Sequence, residues 1–355
     1  MTTLEPLEQL RRDISSVQSS MNSLQSDVRL ASVRNVVEDV QTNIGTLPQK
    51  IRDLRARGYV HEKALETNAT DLAQQWAALQ PSILTQIERQ AFMLQMDLRP
   101  LENQLQMLIA RATDPNGAAP LVAQLKASIT NMEGKVRAAG SSINGMYDAL
   151  QGQVQQVRNH LGEADWMLTQ LAEASFPLLA TEAGIMAVKA VLVQGGKEDA
   201  ADPKGVLILT DQRLLFEQKQ EVATKKVLFI TTEKQKVQKL ALEVPLGMIE
   251  SVKASKQGFL GHEDHLDLDL ASGASVPSAH LHIDGQDCNR WQGLIGRAKA
   301  GDFDQDRVVA VDQAQVAKVK AAPTTCPRCG AAMTAPVVRG ADSIKCEYCG
   351  NVVRL

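Results

Sequence analysis

Aromatic residues make up only 3% of this 355-residue sequence, a shortage that suits long helices burying aliphatic stripes better than one large globular core. No stretch approaches the ~18 apolar residues that a membrane-spanning helix needs. The start, Met1-Thr-Thr-Leu-Glu-Pro6, lacks the charged region and apolar run of a secretory signal. The expectation is therefore a soluble or at most peripheral chain. A net charge of -3 carries no large field of one sign, which argues against a generic nucleic-acid binder. No Gly-rich phosphate loop, paired acid and base, or Ser/His/Asp spacing stands out, so no enzyme is expected. Of the five cysteines, four lie in two Cys-x-x-Cys pairs and Cys288 stands alone. That is a metal pattern rather than a disulfide framework, and it makes a reducing cytoplasm the expected setting, with the inner membrane face as the peripheral alternative.

What is present, first, is apolar periodicity. Val122, Leu125, Ile129, Met132, Val136, Ala139, Ile143, Met146 and Leu150 alternate steps of three and four, a heptad seam. One extra step of four leads to Val154, and the seam resumes to Leu171; such a step relaxes supercoiling without ending the helix. A matching seam runs from Leu65 through Trp76, Ile87, Leu94 and Leu101 to Leu108. Between them, Thr113 to Pro120 is rich in helix-stopping residues. Folding back there sets Leu101 beside Met132, Leu94 beside Ala139, Ile87 beside Met146 and Trp76 beside Val157. Residues 59–176 are thus expected to form one antiparallel coiled-coil hairpin, roughly 80 Å long, kinked at Pro81 and Pro100. Residues 1–58 hold a further helix over 4–44, whose seam changes phase between Val28 and Leu30, and a connector. This helix can pack on the hairpin or pair with a second copy; self-association through the coiled coil is expected. The basic cluster Lys50, Arg52, Arg55 and Arg57 reads as a solvated helix end.

After Phe176-Pro177 the period shortens to that of strands. Ile185–Val193, Gly205–Leu209, Arg213–Gln218, Val227–Thr231, Ala241–Val244, Ile249–Ala254, His265–Ala271 and Ala279–Asp284 are expected strands, and Cys288–Ala300 a closing helix that plugs a small barrel with Trp291, Leu294 and Ile295. Within this region, Gly205-Val-Leu-Ile-Leu-Thr-Asp-Gln-Arg-Leu-Leu-Phe216 resembles the strand-turn-strand signature of GRAM and bacterial pleckstrin-homology (PH) like domains, over residues 177–303. An Asx-type reversal at Thr210-Asp211-Gln212 is expected. Lipid-reading relatives, the resemblance implies, use basic residues after the first strand, but the loop here, Gly195 to Pro203, is acidic. A later run, Lys225, Lys226, Lys234, Lys236 and Lys239, is a loop that could meet an anionic surface or remain solvated. With the turn at Ala271–Val276, His265 falls opposite His282 and Asp267 opposite His280 on one face. Such a group can hold a second transition metal, though more often a face of this kind is simply polar and wet.

Residues 304–323 read as a flexible linker with one short helix at Val311–Lys318. Over 324–355, Cys326-Pro-Arg-Cys329-Gly and Cys346-Glu-Tyr-Cys349-Gly resemble the two knuckles of a zinc ribbon, with these four cysteines as ligands of a structural Zn²⁺. Thirty-odd residues cannot build a sufficient apolar core, so the ion must supply folding energy. Arg328, Arg339, Lys345 and Arg354 surround it, but Tyr348 is the one aromatic, so protein contact is favoured over nucleic acid. The fold class expected is multidomain α+β: antiparallel coiled-coil helices, a PH/GRAM-like barrel capped by a helix, and the ribbon. The expected role is a non-enzymatic scaffold or adaptor. The alternatives are a membrane-associated remodelling or stress protein with a hairpin similar to those of phage-shock and ESCRT-type polymers, and a nucleic-acid regulator acting through the ribbon.

Overall fold

The computed structural model describes residues 4–196, 198–227, 230–333 and 337–355, with side chains at all of these except 4, 5, 222–227, 230–234 and 313. In chain order they form helices α1 (Leu4–Asp27), α2 (Ala31–Ala56), α3 (Leu65–Ala110), α4 (Pro115–Asn144) and α5 (Asp148–Ala172). Strands β1 (Gly184–Val193), β2 (Lys204–Thr210), β3 (Arg213–Val227), β4 (Ile230–Pro245), β5 (Ile249–Gln257), β6 (Glu263–Leu270) and β7 (Ser278–Asp284) follow. The chain continues with α6 (Cys288–Ala300), α7 (Asp302–Gln305), α8 (Gln313–Ala321), β8 (Ser343–Lys345) and β9 (Val352–Arg354). The protein is mixed α+β and divides into two compact units, one of residues up to 48 with 67–158, the other of 49–66 with 159–355.

The first unit is helical. Ile83, Ile87, Leu108, Leu125 and Ile143 are among its fully buried residues, each contributing ~2 kcal/mol by leaving water. α3 runs antiparallel to α4, and Lys135 Nζ donates to Asp97 at 2.6 Å between them. α1 and α2 pack in the same unit: Lys126 meets Asp13 at 2.6 Å, Gln25 donates to Glu102 at 2.7 Å, and the Trp76 indole donates to Gln41. The first segment therefore lies on the hairpin within its own chain. It is also two helices, broken at residues 28–30 where the seam changes phase, with Leu30 at φ 52°.

The second arm departs from expectation at its middle. α4 ends at Asn144 and α5 restarts at Asp148, although Gly145 between them keeps right-handed helical angles, φ −57° and ψ −16°. Tyr147 (1% exposed) replaces Met146 in the seam, so the extra step of four falls from Ile143 to Tyr147, at the break, rather than from Leu150 to Val154. The arm beyond the break takes its own register. Trp76, expected beside Val157, instead sets its ring edge-on to Tyr147 with centroids 6.2 Å apart. The turn before α4 is also shorter than expected. Asp114 caps the helix by accepting from Gly117 N, and Pro115 occupies the first turn, where its missing N–H costs nothing.

In the second unit the seven longer strands form one antiparallel sheet in the order β4-β3-β2-β1-β7-β6-β5. It is open: β4 and β5 stand at its two edges, so the expected closed barrel does not form. The chain passes between them through a one-turn 3₁₀ segment, Leu246–Met248, instead of a ladder. α6, with the expected bounds, lays fully buried Cys288, Trp291 and Ile295 on a core that includes Leu207, Leu209, Phe216, Leu266 and Leu281. Three short strands expected between Arg213 and Val244 are in fact one long hairpin, β3–β4. The lysine run therefore lies on paired strands rather than in a loop, with Lys236 opposite Glu221 and Lys239 opposite Gln218. Lys236 and Lys239 are exposed; the side chains of Lys225, Lys226 and Lys234 lie outside the described residues.

Candidate metal centre and polar sites

The four ribbon cysteines converge. Cys326 Sγ lies 3.6 Å from Cys349 Sγ and Cys329 Sγ 3.7 Å from Cys346 Sγ. A tetrahedron with ~2.3 Å metal–sulfur bonds, the zinc value, has edges of about 3.8 Å, so the cluster fits a metal ion of that size. Two equivalent knuckles build it. Gly330 N donates to Cys326 O and Gly350 N to Cys346 O, both at 2.9 Å, and both glycines are left-handed at φ 72° and 70°, a conformation a side chain would strain. Backbone N–H groups of Cys329 and Arg328 point at the Cys326 sulfur and pull its thiol down, while against the pull of Ala331 N–H the neighbouring Cys349 thiol and burial push Cys329 up.

The segment before the ribbon is not a free tether. α7 and α8 occupy it, α8 slightly later than expected, and Arg339 anchors the ribbon to the sheet. Its guanidinium bonds Asp304 at 2.7 and 3.0 Å and Asp211 at 2.7 Å, while its backbone N–H donates to Gln212 Oε1 at 3.1 Å. Arg307 also pairs with Asp211. Burial pushes the Asp211 carboxyl up to about 6 against the pull of Ala183 N–H and both guanidiniums. Arg339, expected on the ribbon's basic surface, is 7% exposed and unavailable to a phosphate backbone. Close approach explains Gly340: an added Cβ would lie 2.0 Å from Ala180 O.

This anchor sits on the Thr210–Arg213 turn between β2 and β3. The Thr210 hydroxyl, not Asp211, makes the reversal by accepting from Gln212 N and Arg213 N at 3.1 and 2.8 Å. Arg213 in turn holds buried Glu182 at 2.6 Å and Glu243 at 2.5 Å.

The histidine face pairs as expected, with His265 opposite His282 and Asp267 opposite His280. Its chemistry is a relay rather than a ring of converging ligands. His280 Nδ1 bonds Asp267, and His265 Nδ1 lies 3.0 Å from His280 Nε2. His282 stacks on His265 at 4.6 Å and turns Nδ1 to Glu198 at 2.6 Å. Among the described residues these four are not a group whose ligand atoms meet around one ion. Burial holds His265 below the ordinary imidazole range.

Sequence reading missed the connector between α2 and α3. Arg55 donates to the carbonyls of Tyr59, His61 and Glu62 at 2.9, 2.6 and 2.8 Å and to Glu66 at 2.9 Å, and Arg57 binds Asp165. These cations are staples, not a solvated helix end; a lone basic cluster gives no signal of such carbonyl partners. Burial, then the Arg307 charge, depress the buried His61 from 6.5 to about 4. As pH falls, the unfolded chain therefore takes up this proton first. The stabilisation is complete above 6.5 and is lost as pH falls toward 4, ~3 kcal/mol in all at 1.36 kcal/mol per unit. Denaturant titrations at pH 7 and 4.5 should show wild type losing about 2–3 kcal/mol more than His61→Phe.

A comparison with protein families and with curated proteins finds no match. Among solved structures, the chain is similar to the Vps36 N-terminal PH domain at 20% identity, covering 36% of this chain and 88% of that one with a TM-score of 0.25. It is also similar to the DH/PH domains of PDZ-RhoGEF in complex with GTP-gamma-S activated RhoA, at 14% identity, 82% and 95% coverage, TM-score 0.22. The DH/PH domains of p115-RhoGEF match at 12% identity, 84% and 95% coverage, TM-score 0.22. Among the described residues, no helix is long and apolar enough to cross a membrane.

Proposed function

We propose that this chain is a non-enzymatic adaptor in which a helical bundle, a PH/GRAM-like sheet and a structural zinc ribbon each present a contact surface. The observation that supports it best is the ribbon itself. All four metal-facing positions are thiolates, which leaves no open coordination site for chemistry, and its Arg339 is engaged as an anchor on the sheet. The expected self-association has a surface on α3. Phe92, Met93, Met96 and Met107 are 62%, 57%, 44% and 54% exposed, and at 3.6 residues per turn they fall within about 100° of arc. Methionine-rich faces suit protein contact. The membrane-associated reading draws on a different feature, Phe259 and Leu260, which are 83% and 78% exposed at the tip between β5 and β6.

One pair of measurements tests these readings. Light scattering of the full chain is expected to show an assembly that Phe92→Glu with Met96→Glu reduces to single chains. A monomeric wild type at every concentration would end the self-association reading. Co-sedimentation with anionic vesicles that is lost in Phe259→Ser with Leu260→Ser would promote the membrane reading over the adaptor.

A further inference from the structure

In the second unit, the α2–α3 connector closes a cavity of 370 Å³ against β1 and α6. That volume suits a small molecule. Its apolar wall is Ile185, Met186, Leu294 and Phe303, and most of the polar groups around it are already engaged. His160 Nε2 holds Glu62 at 2.8 Å and Tyr59 at 3.2 Å, and Arg290 grips Glu163 through both terminal nitrogens at 2.7 Å.

Asn289 and the Asp306 carboxylate also line it; the two groups placed to meet an acid are His61 and Arg297. His61 is 1% exposed, yet neither ring nitrogen has a hydrogen-bond partner among the described residues. Backbone atoms of Phe303 and Ala183 lie near the ring without hydrogen-bond geometry. A buried imidazole left this way calls for something in the cavity to meet it. Arg297 is the second. Its guanidinium lies 4.5 Å over the Phe303 ring, and the carboxylate it pairs with among the described residues, Asp302, is 3.8 Å from Nε, beyond good hydrogen-bond distance. Its terminal fork remains available, and that fork matches the paired oxygens of a carboxylate or phosphate. The edge of the same Phe303 ring meets His61 at 5.6 Å, so one aromatic wall carries both groups.

The connector is also held in a shape it would not adopt freely. Glu62 sits at φ 59°, a region non-glycine residues avoid, and Arg55 fixes the segment through the carbonyls of Tyr59, His61 and Glu62. Pre-set geometry of this kind lowers the ordering cost of binding.

We propose that this cavity binds a small organic acid. Its carboxylate or phosphate lies on the Arg297 fork and the His61 ring, and its carbon skeleton rests against Ile185, Met186 and Leu294. The site is independent of the adaptor reading, which needs no small ligand.

The test uses the full, metal-loaded chain labelled with ¹⁵N-histidine; its six histidines are few enough to assign His61 by comparison with His61→Phe. Acetate and inorganic phosphate, each titrated to tens of millimolar, probe the acidic head group alone. A saturable shift of the His61 ring with either probe supports the proposal; acetate alone marks a carboxylate ligand and phosphate alone a phosphoryl one. Arg297→Gln should weaken that binding about tenfold or more, and Arg297→Lys, which keeps the charge but loses the fork, should fall between. Arg297 is half exposed, so these variants are expected to fold. The absence of a saturable shift with both probes, or an unchanged affinity in Arg297→Gln, overturns it.

Discussion

Cys346→Ser is expected to empty the ribbon of metal and unfold residues 324–355 while the seven-stranded sheet stays folded. One ligand of four is lost, and the serine hydroxyl is a poor substitute for a thiolate. The apparent binding energy of a structural zinc is ~10–16 kcal/mol and is also the folding energy of so small a module. Metal content per chain should drop from a stoichiometric ion toward none, and limited proteolysis should then cut within 324–355, a segment the metal-loaded protein protects. Retention of the ion, or an unchanged digestion pattern, would show that the cluster is not a four-thiolate site. The consequence reaches past the ribbon, since Arg339 leaves its seat when the ribbon unfolds.

Asp211→Asn should cost the second unit about 3 kcal/mol. Asp211, Arg307 and Arg339 side chains are 2%, 7% and 8% exposed, and removing the shared carboxylate leaves two buried guanidiniums, of which among the described residues only Arg339 has another acid, Asp304. Breaking a buried pair from one side costs more than the pair contributes, because the orphaned charge stays desolvated. Denaturant titration measures the loss. A double variant with Arg307→Met, which removes the charge left without a carboxylate, should recover part of it, and no recovery would argue against a charge effect.

Legibility in the sequence followed how local the physics was. The two knuckles could be read from spacing because a Cys-x-x-Cys-Gly turn needs nothing outside itself. The α6 bounds and the His265–His282 pairing likewise depend on a cap, a turn and period two. The sheet's openness was not legible, since whether β4 meets β5 depends on a three-residue corner rather than on either strand's pattern. The length of β3–β4 was hidden because beyond the core its residues, Gln220 to Val237, carry no apolar alternation. Gly145 and Tyr147 were overlooked for the opposite reason: Met146 continued the heptad arithmetic well enough to mask a helix break. Arg55 and Arg339 looked like surface charge: Arg55's partners are nearby backbone carbonyls, which carry no side-chain signal, and Arg339's are acids distant in sequence.

The α2–α3 connector carries a consequence for biosynthesis. Residues 49–66 leave the ribosome early, but α6 and Phe303, which cover His61, are made more than two hundred residues later. At roughly 5–20 residues per second, the nascent chain holds His61 uncovered for ten seconds or more. During that interval the helices on either side can close on each other, while the connector waits as the open junction between an early-maturing half of the protein and a late one.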